Sequence, residues 1–185
     1  MARGSGKLTR RRGKPLAAAM AAVLILALSH AARAASFAAR DLQVLGRAIA
    51  FMQPPPPPDA VIAIAFIAGN ADSKRDADAI AALIGSGLAT GHTMLRPRVV
   101  DVAGLGAGGF SVVIAAAGAN GPQLNAAAKA AKALCVTTDA DAVRDGFCAM
   151  AITSEPRVEI TVNHTAAAAA GIDFAAAFRM MIREM

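Results

Sequence analysis

Ala60-Val61-Ile62-Ala63-Ile64-Ala65-Phe66-Ile67-Ala68, followed by Gly69-Asn70-Ala71-Asp72, is the stretch on which the fold turns. Nine apolar residues rich in Val and Ile, with no polar residue alternating among them, have the pattern of a strand covered on both faces of a sheet. The glycine and asparagine that end the run are turn formers. Beyond them a helix is predicted, with a box-like start over Ser73-Lys74-Arg75-Asp76 and an apolar face of Ala77, Ile80, Ile84 and Leu88. Gly85 and Gly87 weaken its last turn, and a second strand is expected between Thr93 and Val102.

Towards the amino terminus, Phe37 to Met52 reads as a helix with Ala38, Leu42, Leu45, Ile49 and Met52 on one face and Arg40, Gln43 and Arg47 on another. Five prolines, Pro54 to Pro58, then stop it and act as a stiff, extended connector into the strand. Towards the carboxyl terminus the buried-strand signature returns at Phe110 to Ala117. Gly118-Ala119-Asn120-Gly121 follows, and Pro122 opens a helix running to Ala133. Leu134 to Thr137 is a short third buried strand. Phe147 to Ile152 and Arg157 to Val162 flank Thr153-Ser154-Glu155-Pro156 as a hairpin. Its second strand alternates, placing Val158, Ile160 and Val162 inward and Arg157, Glu159 and Thr161 towards water. Asp173 is then placed to cap a last helix with a face of Phe174, Ala177, Phe178 and Met181. These elements define an α/β fold, a three-layer sandwich with a mostly parallel sheet and an antiparallel C-terminal hairpin.

The front of the chain is different in kind. Residues 1–34 hold seven of the 19 basic side chains and none of the 13 acids. A basic stretch, an apolar run from Leu16 to Leu28 and the small residues around Ala32-Arg33-Ala34 are the three parts of a secretory signal peptide cut near Ala34. The apolar run falls short of the roughly 20 residues needed to span a bilayer. Thr9-Arg10-Arg11 hints at twin-arginine export, but Arg12, Gly13 and Lys14 stand where hydrophobic residues belong, which favours ordinary unfolded secretion. The expected organisation is a leader, 1–34, and one domain, 35–185. That domain is close to neutral, so the formal charge of +6 resides in the leader. With no basic stripe and neither Trp nor Tyr, a nucleic-acid partner is disfavoured. Export to the periplasm also sets the redox context. There the isolated pair Cys135 and Cys148 is expected to form one disulfide.

Chemical motifs are sparse. Gly104-Leu105-Gly106-Ala107-Gly108-Gly109 spells G-x-G-x-x-G, but a strand rather than a helix follows it, so a flexible connector is the better reading. His92 and His164 lack metal-ligand spacing, and no metal or cofactor is expected. Ser111 falls inside a strand, away from a nucleophile elbow, and nothing argues for an enzyme. The better-placed polar residues end buried strands: Asn70, Gly118, Asn120 and Thr138 are candidate ligand-binding residues, because open α/β sheets bind ligands at strand carboxyl ends. Capping and turn chemistry is the competing and favoured account of the same residues. Met180, Met181, Ile182 and Met185 form a sulfur-rich apolar terminus, for which core packing is favoured over a partner surface.

Ala133-Leu134-Cys135-Val136-Thr137-Thr138-Asp139, Gly146 before the hairpin, Val158-Glu159-Ile160-Thr161-Val162-Asn163 and the alanine-rich helix reaching Gly171-Ile172 together resemble the YfiR-like periplasmic family. Asn163 and Gly171 fall at the family's spacing, whereas no Trp precedes the prolines and only one cysteine pair is present. The resemblance implies a non-enzymatic periplasmic regulator that binds the outer part of an inner-membrane signalling protein, commonly a diguanylate cyclase, and it leaves a homodimer open. The alternative expectation is a single-lobe periplasmic receptor for a small molecule.

Overall fold

The computed structural model describes Met1 and residues 37–185. The expected leader and its cut near Ala34 lie outside the described residues. The described residues form ten strands and six α-helices, beginning in chain order with α1 (Ala39–Ile49), β1 (Met52–Gln53), β2 (Asp59–Phe66), α2 (Ala71–Ile84), β3 (Leu88–Thr90) and β4 (Thr93–Asp101). A 3-10 helix (Val102–Ala107) leads to β5 (Val112–Ala115), α3 (Pro122–Ala131), β6 (Leu134–Thr137), α4 (Ala140–Arg144) and β7 (Met150–Thr153). The chain ends with β8 (Glu159–Val162), α5 (His164–Ala169), β9 (Asp173–Phe174), α6 (Ala176–Arg179) and β10 (Arg183–Glu184).

Eight strands form one sheet in the order β10-β8-β7-β6-β5-β2-β4-β3. The five central strands, β4, β2, β5, β6 and β7, run parallel. The β7–β8 hairpin is antiparallel, with Ile152 opposite Ile160, and β3 returns antiparallel to β4. The architecture is therefore the expected α/β sandwich, because alternate residues of the buried strands serve two separate cores. Ile62, Ile64, Val112, Ile114, Leu134 and Val136 face a core shared with α1, α2, α5 and α6. Ala63, Ala65, Val113, Ala115 and Cys135 face the other, which the 3-10 helix, α3 and α4 cover. Among the described residues no helix is long and apolar enough to cross a membrane.

Several local expectations need correction. The first helix is shorter than Phe37 to Met52: Ala38 is exposed, Asp41 accepts the Ala38 N–H at 2.7 Å, and Met52 instead enters β1, which pairs with β9. The second helix begins before Ser73, because Asn70 caps it. Ser73 is fully buried, its hydroxyl accepting the Ile67 N–H at 3.0 Å. Gly85, at φ +62°, ends that helix in a conformation few side chains tolerate, so Leu88 starts β3 rather than extending the helical face. The supposed flexible connector is an ordered 3-10 helix. Val102 and Leu105, three residues apart, point together into the second core, as its three-residue turn requires. Ser111 sits just ahead of β5 rather than inside it.

At the hairpin, Val158 lies beyond the paired residues and is exposed, whereas Thr161, expected to meet water, is buried because α4 packs against β8. Asp173 is not a helix cap. It belongs to β9, and the partner of β9 is β1. Phe174 and Phe178 then close on one another, and Phe51 stacks on Phe178 with centroids 5.3 Å apart. Ala177 and Met181, expected on the inner face of a longer helix, are exposed because α6 is a single turn. The methionine terminus does not join the core as a block: Met180, Met181 and Met185 are exposed, and only Ile182 is half-buried against it.

Candidate functional site

The chain order crosses the sheet in a way that singles out one place. From β2 the chain moves outward to β4, then returns past β2 to lay down β5, β6 and β7 on the other side. The carboxyl ends of β2 and β5 therefore flank a topological switch point, where open α/β sheets form a crevice.

Two of the candidate loops meet there. Gly118, at φ +72°, follows β5, and a Cβ added to it would stand 3.8 Å from the Ile67 side chain at the end of β2. The loops are also tied by Asp76, whose carboxylate accepts the Ala117 N–H at 2.8 Å from the first turns of α2. Asn70 lies on the β2 side and is engaged as a cap, its Oδ1 accepting from Asp72 and Ser73 at 3.1 and 3.0 Å. Asn120 lies on the β5 side. Its Oδ1 is buried and has no hydrogen-bond partner among the described residues. The helix that follows, α3, starts with Pro122 and has no side-chain cap and no acid in its first turn.

Thr138 stands one strand further along, after β6, and is not part of the β2–β5 crevice. Its neighbours perform local work: the Thr137 hydroxyl accepts the Asp139 N–H, and Asp139 caps α4 by accepting from Asp141 and Ala142. The sequence reading missed α4. The cue was present in Thr137-Thr138-Asp139-Ala140, a capping residue ahead of alanine.

Cys135 and Cys148 form a disulfide that joins β6 to the segment before β7, with Cα atoms 4.9 Å apart and both residues buried. The parallel neighbours β6 and β7 bring their amino-terminal ends together, which places these two positions side by side. His92 and His164 are exposed, and the described residues contain no group of three or more His, Cys, Asp or Glu arranged to hold a metal.

Asn163 and Gly171, singled out by spacing, bracket α5. Asn163 Oδ1 accepts the Ala166 N–H at 2.9 Å, and its Nδ2 donates to the Val143 carbonyl at 2.9 Å, joining α5 to α4. Gly171, at φ +71°, supplies the left-handed residue that lets Ile172 N–H return to the Ala167 carbonyl. Asn163→Ala removes the cap, worth about 1 kcal/mol, and takes one donor from the Val143 carbonyl, which keeps the Gly146 N–H at 3.1 Å, a lost hydrogen bond worth about 1 kcal/mol more. A loss of about 2 kcal/mol in urea denaturation is the expected result; Asn163→Ser, which keeps a capping oxygen and sets nothing against the Val143 carbonyl, is expected to recover about half.

No protein-family model matches this sequence, and no curated protein matches it.

Proposed function

We propose that this chain is an exported, non-enzymatic regulatory or binding domain that engages the periplasmic part of an inner-membrane signalling protein, as its resemblance to the YfiR-like family implies. The observation that carries the reading is the buried Cys135–Cys148 disulfide within an α/β domain, since structural disulfides persist in oxidising compartments. The use of polar strand-end residues supports it too: Asn70, Asp139 and Asn163 all have their carboxylate or amide oxygens committed to helix starts. Such residues hold the scaffold and leave recognition to the surface. Site-specific photo-crosslinking in the periplasm tests the proposal. The expected product is a single adduct with an integral membrane sensor; crosslinking only to bulk envelope proteins across several growth conditions overturns it.

A second reading, a single-lobe receptor for a small polar molecule, is favoured by one observation. The side chain of Asn120 has a buried oxygen without a hydrogen-bond partner among the described residues, at the switch point beside the uncapped start of α3. Such an arrangement offers an acceptor and backbone donors to the same ligand. Under this reading, thermal-shift screening with amino acids, sugars and small anions gives a saturable rise in melting temperature that Asn120→Leu abolishes. A flat response across the three classes removes it.

A further inference from the structure

We propose that the groove between α1 and the edge strand β3 binds an aliphatic carboxylate, with the hydrocarbon on the groove floor and the carboxylate held by Arg47 and Gln43. The groove has a volume of about 620 Å³, within the range of small-molecule sites. A stable protein partner would require roughly 800 Å² of surface from each side, far more than a groove of this size presents.

Its floor and wall are apolar, formed by Phe51, Leu88, Ala89 and Ala50, and no acidic residue among those described lines it. Gln43 and Arg47 lie four residues apart on α1, so both side chains rise from the same helix face and can meet a single carboxylate. Arg47 is exposed and makes no ion pair or hydrogen bond among the described residues. It is therefore a cation at the rim of an apolar trough with no internal anion to neutralise it. That charge selects an acid over a neutral lipid or an amine.

The groove is also preorganised. Gly46 brings α1 so close to β3 that a Cβ there would stand 3.0 Å from the Ala89 carbonyl oxygen. The floor is thus fixed by backbone against backbone, and a ligand need not order it on arrival.

Decanoate, used below its micelle concentration, is the probe, and decanol supplies the same tail without the charge. Calorimetric titration of the purified protein is expected to show saturable one-to-one binding of decanoate. Arg47→Gln weakens it about fivefold, the loss of one solvent-exposed charge-assisted contact, while decanol binds both proteins equally. Ala50→Phe, a change at an exposed helix end, fills the trough and abolishes binding of both probes while the melting temperature holds. Absence of saturable decanoate binding overturns the proposal. So does binding that neither substitution changes.

Discussion

Replacing Cys135 and Cys148 together with alanine is expected to lower the unfolding free energy by about 3 kcal/mol, the chain-entropy cost of reopening a loop of this length. The cysteines are 13 residues apart, and the loop between them holds all of α4. Because α4 is a helix of five residues, too short to persist alone, its position depends on both ends of that loop. Asp139 anchors the start through its cap, and the sulfur bridge anchors the segment after the end. Urea denaturation should therefore show a lower midpoint. Hydrogen exchange should show the additional opening concentrated at residues 138–149, with β2 and β5 exchanging only by global unfolding. A double variant within 0.5 kcal/mol of the parent, a margin typical of surface changes, would show that packing alone holds α4.

The parts of the fold that could be read from the sequence are those in which a single strand or helix carries its own pattern. Leu134 to Thr137 matched to the residue because all four side chains are buried and the polar Thr138-Asp139 directly after them marks the end of the run. The β2–α2 unit and the hairpin were legible for related reasons: a β-branched run ends in turn formers, and two strands flank a proline turn. The strands that were missed, β1, β3, β9 and β10, are two or three residues long and exist only through their partners. Nothing in Asp173-Phe174 itself signals a strand; Met52 and Gln53, far away in sequence, make it one. The same limit governs the sites. Asn70, Gly118 and Asn120 could be placed at strand ends, but whether the amide oxygen of either asparagine is committed to a cap depends on a backbone geometry finer than residue type. The α1–β3 groove could not be seen at all, because its two walls come from segments on either side of the polyproline connector and α2.

The unequal chemistry of the two sheet faces leads to a second large effect. On β2, Ile62 and Ile64 face the side covered by α1 and α2, whereas Ala63 and Ala65 face the side covered by the 3-10 helix and Phe110, and all four are fully buried. Large residues on one face and methyl groups on the other mean that the covering layers stand at different distances from the sheet. Ile64→Ala is expected to cost about 3 to 4 kcal/mol, through lost burial and the cavity left in the thicker core. Ala65→Leu is expected to cost about 2 to 3 kcal/mol by the opposite route, because the added atoms must displace Val102, Leu105 or Phe110. A further substitution separates the two mechanisms. Leu105→Ala is destabilising alone, yet combined with Ala65→Leu it should return at least 1 kcal/mol by making room, a positive coupling that a double-mutant cycle measures directly. Strict additivity in that cycle would mean that the 3-10 helix does not set the spacing of its layer, and the small side chains of β2 would then have no packing reason to be small.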